Sequence, residues 1–246
     1  GTTGHDTSKH YIKELDIYET SYKNAFELEY GKIGDYTILA LLPNYLERNG
    51  SSLIYMVDNL ISLSKKDKSG FYLYNHEELK NTLDQLAAAQ EKTILIGVSF
   101  ALLDFVEKYT PARNQHLIVM ETGGMKGKRK ELIRKELHEI LQKGFQVDTI
   151  HSEYGMTELL SQAYSKGLGA FSCPPWMKIL IRNQDDPFNY CSKGETGGIN
   201  IIDLANIYSC SFIQTDDLGK IDQQGNFEVL GRFDQSDVRG CNLLLF

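Results

Sequence analysis

Apolar runs of strand length alternate with segments of helical period through the first two thirds of the chain. Tyr36 to Leu42 (YTILALL), Gly70 to Tyr74 (GFYLY), Thr93 to Val98 (TILIGV), His116 to Met120 (HLIVM) and Phe145 to Ile150 (FQVDTI) read as strands. Several are too apolar to be half exposed, which predicts a sheet covered on both faces. Asn75 with Glu78 three positions on is a capping pair for a helix running to about Gln90. Lys128 to Lys143 (KRKELIRKELHEILQK) puts Leu132, Ile133, Leu137, Ile140 and Leu141 on one stripe, with Gly144 as its stop. The alternation predicts an α/β fold, a doubly wound and largely parallel sheet with helices on both faces.

Beyond about Ser172 the pattern changes. Met177 to Arg182, Gly198 to Asp203, Cys210 to Gln214 and Asn226 to Leu230 are short runs separated by turn sequences such as KGETGG and DQQG. With no helical segment between them they predict a smaller β subdomain, an antiparallel sheet or small barrel packed on the first layer. The division falls into residues 1–171, an α/β core, and 172–246, a β-rich subdomain.

Composition narrows the class. The chain has 246 residues, 41% hydrophobic and 24% charged, which are ordinary globular values. A net charge of −7 argues against nucleic acid as a partner, since phosphate-backbone binding needs a basic face. No apolar run is long enough to span a bilayer and no leader pattern stands at the N-terminus, so a cytoplasmic location is expected. Cys173, Cys191, Cys210 and Cys241 are widely spaced, with no CxxC pair, and read as reduced thiols, and His76, His116 and His138, with no second ligand at metal spacing, read as solvated or satisfied core histidines. Cys173, before Pro174-Pro175-Trp176, reads as a packed turn cysteine. The charges from Lys126 to Lys135 read as the solvated face of a helix.

Four stretches carry candidate chemistry. Gly1-Thr2-Thr3-Gly4, with Ser8 and Lys9 after it, has the small, hydroxyl-rich composition that wraps a polyphosphate, and equally that of a frayed terminus. Gly123-Gly-Met-Lys-Gly-Lys128 is not a P-loop, because the glycine spacing is one residue short and Arg129 replaces the magnesium-binding hydroxyl. It is a glycine turn where open α/β sheets bind ligands, or a plain strand-to-helix turn. His151-Ser-Glu-Tyr-Gly-Met-Thr-Glu158 follows a strand and precedes an apolar-periodic helix. Tyr154 suits stacking on a flat ring, and Thr157 and Glu158 suit a phosphate and its magnesium; a capped helix start explains the same polarity. Asp216-Asp217 is a turn-forming pair or a carboxylate for ribose hydroxyls. In the tail, Cys241 is either a small packed hydrophobe or a thiol activated by Arg239, which points to the same side of an extended segment.

Taken in order, GTTG, GG after a central strand, YGMTE, TDDLG and GRFD followed by VRG resemble the adenylate-forming superfamily over residues 1 to 241. Within it the chain looks most like the acyl-protein synthetases of bacterial luminescence (LuxE-type). The resemblance implies ATP and Mg2+ as cofactors, a fatty acid substrate, and an acyl-accepting or acyl-donating protein of a reductase or acyltransferase complex. It implies that Gly1, Thr2, Thr3 and Gly4 close on the β- and γ-phosphates, and that Gly123 and Gly124 lie against adenine. Tyr154 would stack on that base within the Gly155–Met156 loop, Thr157 would touch the α-phosphate and Glu158 would hold the metal. Asp217 would bind the ribose, Arg232 would reach the ribose or phosphate, Asp234 would be a hinge, and Cys241 would accept the acyl group beside Arg239. The superfamily's lid domain with its catalytic lysine would lie past Phe246, so Lys9 or a partner is expected to supply that cation. An acyl- or aryl-CoA ligase and a non-catalytic nucleotide-binding subunit are the rival implications.

Overall fold

In the computed structural model, residues 8–43, 50–123 and 132–233 are described. The doubly wound α/β fold expected from the sequence is the fold observed. Helix α1 (Leu15–Tyr30) is followed by β1 (Thr37–Leu41), α2 (Ser52–Ser64), β2 (Gly70–Phe71), α3 (His76–Ala88) and β3 (Thr93–Val98). Then come α4 (Ser99–Val106), β4 (Leu117–Thr122), α5 (Arg134–Phe145), β5 (Ile150–Tyr154) and β6 (Ala163–Ser165). These strands form one sheet in the order β2-β1-β3-β4-β5-β6, parallel except for the antiparallel edge strand β6. Every residue of β1 and β3 is buried, as both-face coverage requires. On one face, the Tyr18 hydroxyl of α1 donates to the Ser52 carbonyl of α2. On the other, His76 of α3 meets Phe105 of α4, which stacks on Phe145 of α5 at 5.4 Å.

A second sheet, antiparallel, follows in the order β10-β9-β8-β7, with β7 (Met177–Arg182), β8 (Gly197–Asp203), β9 (Phe212–Ile221) and β10 (Phe227–Arg232). The chain between the sheets stitches them together. Ser172 bridges to Tyr164 of β6, and Phe171 exchanges backbone hydrogen bonds with Phe227 of β10 at 2.8 and 3.0 Å. The second core, around Leu159, Phe171, Ile179, Ile199 and Phe227, fills the space behind this seam. No helix among the described residues is long and apolar enough to cross a membrane.

Several boundaries differ from the sequence reading. Phe145 ends α5 instead of opening a strand, and Gly144 lies inside that helix, packed against Val106. The helix stops instead at Gln146, in the left-handed region at φ 56°. Ile133 precedes α5, and both Ile133 and Ile140 are exposed, so the buried stripe is Leu137, Leu141 and Phe145. The strand is His151-Ser-Glu-Tyr itself, and a turn and β6, not a helix, follow it. The predicted strand from Gly70 to Tyr74 shortens to two residues. The Asp216–Asp217 pair lies inside β9, not in a turn, because Asp217 pairs across the ladder with Arg232.

Candidate active site

The carboxyl end of β5 meets the middle of β9, which faces the end of β10. Tyr154, the last residue of β5, donates its hydroxyl to Asp217 Oδ2 at 2.9 Å. Its ring packs edge-on against Phe171 and Phe227 at 5.9 and 5.3 Å, and those two rings stack at 5.2 Å. Asp217 is fixed from both sides. Its N–H donates to Thr215 Oγ1, whose hydroxyl donates to the Ile199 carbonyl of β8. Arg232 Nη2 donates to Asp216 Oδ2 at 3.1 Å and its Nε lies 3.7 Å from Asp217 Oδ1. Burial raises the Asp217 carboxyl above its ordinary value more than the Tyr154 hydroxyl and the Arg232 guanidinium lower it. Burial also pushes the Tyr154 phenol far up, so it remains a donor at any physiological pH. Behind β9, buried Arg182 donates to the Ile199 and Thr215 carbonyls and lies 5.1 Å over the Phe233 ring. It thereby ties the Asp217 strand to the chain just after Arg232.

Gly123 ends β4 with φ 65°, a conformation that costs a side-chain-bearing residue energy, and its carbonyl accepts from Ser99 Oγ at 2.8 Å. Gly155 is exposed, and a Cβ there would fall 2.5 Å from Glu153 Oε1. Met156 packs on the second core, and Thr157 and Glu158 lie half-buried in the following turn. That turn is anchored from beneath. Asp203, fully buried at the end of β8, accepts from the Leu160 and Ser161 N–H groups, from Ser161 Oγ at 2.6 Å and from the Ala205 N–H. Asn206 Nδ2 donates to the Glu158 carbonyl at 2.9 Å. Lys9 is exposed, and the residues after it, His10 to Glu14, lie against Leu160, Ala205 and Asn206, near the anchor of Glu158.

Tyr154, Asp217 and Arg232 are thus brought into direct contact, and Gly123 closes the neighbouring strand end. Gly1, Thr2, Thr3, Gly4, Gly124, Asp234, Arg239 and Cys241 lie outside the described residues. The residues that sequence reasoning passed over are the supports Asp203, Asn206, Arg182 and Thr215. Only Asp203 carried a signal, an Asp before a short helical turn at Leu204–Asn206. No group of three or more His, Cys, Asp or Glu side chains arranged for a metal occurs among the described residues. A single half-buried carboxylate such as Glu158 suits Mg2+, which keeps several waters and shares its ligation with substrate phosphates. Cys173 lines a cavity of about 230 Å3 beside α1, and burial pushes its thiol up to about 12, so it stays a neutral packed thiol.

On the α1 face of β5 lie two groups whose ionisation the fold opposes. Burial pushes Glu153, which accepts a hydrogen bond from the Thr122 hydroxyl, up to about 7. Burial pushes His151, 3.2 Å from the Tyr30 hydroxyl, down to about 4. A raised carboxyl contributes stability that is complete below its unfolded value of 4.5 and lost as pH rises to about 7. A depressed imidazole contributes above its unfolded value of 6.5 and loses that contribution as pH falls to about 4. The two slopes oppose each other. Glu153→Gln is therefore expected to expose the histidine slope: the variant loses stability on acidification from pH 6.5 to 4. At pH 8 it exceeds the parent by about 1–3 kcal/mol. Urea titrations at pH 5 and pH 8 check both.

The family model for "Acyl-protein synthetase, LuxE" matches residues 65–246. A comparison with curated protein sequences returned no match. Among solved structures, ATP-bound MatB from Rhodopseudomonas palustris aligns with a TM-score of 0.69 at 16% identity, covering 94% of this chain and 46% of that one. The o-succinylbenzoate coenzyme A synthetase MenE from Bacillus subtilis, in complex with ATP and magnesium ion, aligns with a TM-score of 0.56 at 20% identity over 85% and 44%. The coronafacic acid ligase of Pectobacterium brasiliense gives 0.57 at 17% over 88% and 43%. The chain therefore spans less than half the length of these adenylate-forming enzymes and shares their fold. Matched by the family model over nearly three quarters of its length, the chain belongs to the acyl-protein synthetase (LuxE) family.

Proposed function

We propose that this chain carries the nucleotide-binding core of an AMP-forming acid–thiol ligase that activates a fatty acid with ATP and passes the acyl group to a protein cysteine. The observation that carries this reading is the contact of Tyr154, Asp217 and Arg232 where the parallel strands end, in a chain of the LuxE family. On this reading residues 1–171 supply the phosphate and base contacts and residues 172–246 the ribose contacts and the tail.

The roles follow from the chemistry of each group. Asp217 accepts the ribose hydroxyls, and Arg232, which Asp216 holds at 3.1 Å, turns to ribose or phosphate. Tyr154 offers its ring to adenine against the Gly123–Gly124 turn. Thr157 donates to the α-phosphate, and the Gly1–Gly4 loop, with Lys9 after it, surrounds the β- and γ-phosphates. Glu158 would hold Mg2+, which would supply charge neutralisation on the phosphates. A carboxylate oxygen of the fatty acid attacks the α-phosphorus and the bond to pyrophosphate breaks. The Cys241 thiolate, its charge favoured by Arg239, then attacks the acyl carbonyl, the acyl–oxygen bond breaks and AMP leaves. Asp234 is the pivot that lets the tail reach the adenylate. A protein of a reductase or acyltransferase complex donates or receives the acyl group.

Intact mass after incubation with ATP, Mg2+ and a panel of fatty acids tests this reading. It predicts a mass gain of one acyl group that hydroxylamine removes and that Cys241→Ser abolishes. Thioester formation with coenzyme A that is insensitive to Cys241→Ser would overturn the protein-acceptor reading.

A further inference from the structure

Arg134 opens α5, in the stretch whose charges read as a solvated helix face, yet its side chain turns inward between the two sheets. Its Nη1 donates to the Val229 carbonyl of β10 at 3.2 Å, and its Nε stands 3.9 Å from Glu121 Oε1 of β4. Its guanidinium lies 5.3 Å over the Phe171 ring. Its outer atoms fill the place beside Gly169 where a Cβ would come within 2.7 Å of Cδ. One planar cation thus touches a strand of each sheet and the segment that joins them.

Both lines of contact lead to the candidate active site. Phe171 carries the Tyr154 ring on its edge, together with Phe227. Glu121, 6% exposed, accepts from Ser99 Oγ at 3.1 Å, and the same hydroxyl bonds the Gly123 carbonyl. Burial pushes the Glu121 carboxyl up, but His138, Arg134 and the Ser152 hydroxyl outweigh it and leave Glu121 below its ordinary value. Glu121 is accordingly an ionised anchor for the guanidinium. A lysine would keep a charge near Glu121 but has no fork to reach Val229 and cover Phe171 at once.

We propose that Arg134 is a positioning residue: it sets the spacing between the Gly123 turn and the Tyr154 ring by bracing Glu121 and Phe171 from one side chain. The proposal rests on the nucleotide reading of that site. It is independent of which acid is activated and which thiol accepts.

The experiment compares the parent chain with Arg134→Gln and Arg134→Lys by calorimetric titration with AMP and by alkylation with iodoacetamide. Alkylation is followed at each cysteine by peptide mass. Cys173 packs against the same cluster as Tyr154 and Phe171, whereas Cys210 is exposed at the start of the β9 segment and serves as the internal reference. AMP dissociation constants are expected to rise about tenfold in Arg134→Gln and about threefold in Arg134→Lys. The Cys173 to Cys210 labelling ratio is expected to rise at least fivefold in Arg134→Gln and to fall back towards the parent value in Arg134→Lys. If the parent binds AMP and Arg134→Gln binds it equally well, the positioning role is overturned and the site reading stands. If the parent binds no AMP, the site reading fails and takes the positioning role with it. An unchanged labelling ratio contradicts the brace in either case, and Arg134→Lys carries both measurements if Arg134→Gln does not fold.

Discussion

Asp217→Ala is expected to weaken AMP binding by about a hundredfold while leaving the chain folded. In the proposed complex the carboxylate accepts two ribose hydroxyls, and charge-assisted hydrogen bonds of that kind contribute about 1.5 kcal/mol each or more, which together make two decades in affinity. The fold tolerates the loss because Asp217 is not a stabilising charge. Burial raises its carboxyl above the ordinary value, which means that the folded chain disfavours its ionised form. Arg232 keeps Asp216 as a partner at 3.1 Å, so the variant leaves no buried cation alone. Calorimetric titration reads the affinity, and an unfolding free energy from urea denaturation within about 3 kcal/mol of the parent, the range set by leaving the buried Tyr154 hydroxyl without its acceptor, confirms that the fold has survived. Unchanged AMP affinity would remove Asp217 from the site.

Asp203→Asn is expected to have the opposite profile, a loss of about 3–5 kcal/mol in folding stability. The fully buried carboxylate accepts two donors on Oδ1, Ser161 Oγ and the Ala205 N–H, and two close donors on Oδ2, the Leu160 and Ser161 N–H groups. An amide offers one accepting oxygen. Turned towards the Leu160 and Ser161 N–H groups, its NH2 faces two donors; turned the other way, the Ser161 hydroxyl can reverse to accept, but the Ala205 N–H is still left facing a donor. Since these bonds hold the end of the Thr157–Glu158 turn, the variant is also expected to loosen that turn. Urea denaturation measures the first effect, and a cost below about 1 kcal/mol would refute the anchor.

Where local pattern and tertiary context agree, the sequence was legible. Thr93 to Val98 is a strand in both because six consecutive buried positions, all but Thr93 without a polar side chain, suit a central parallel strand. The Asn75–Glu78 pair caps α3 as expected, with Asn75 Oδ1 accepting from the Glu78 N–H and Asn75 Nδ2 donating to Glu78 Oε2. Where tertiary partners override local preference, it was not. His151, Ser152 and Glu153 look like a loop because they are polar, but each is buried or half-buried in a strand, where His151 meets Tyr30 of α1 and Glu153 meets Thr122 of β4. Asp216 and Asp217 read as a turn, and Arg232 opposite them makes a strand of them. Helix α1 escaped notice because its buried face is built from Tyr18, Tyr22 and Phe26, with polar atoms at two of the three. Helix α4 is buried on nearly every position and so has no contrasting polar face to show a period. In the site, the residues proposed to meet a ligand stood in recognisable short motifs, while those that pack behind them, such as Arg134 and Asn206, belong to no motif and show their contacts only in three dimensions.

Hydrogen–deuterium exchange of the full chain with and without AMP and Mg2+ most directly tests the claim that a nucleotide binds where the two sheets meet. The account predicts slowed exchange in the peptides covering Thr122–Gly123, Glu153–Glu158 and Thr215–Leu218, with α2 and α3 unchanged. Protection confined to other segments, or none at saturating AMP, would contradict it.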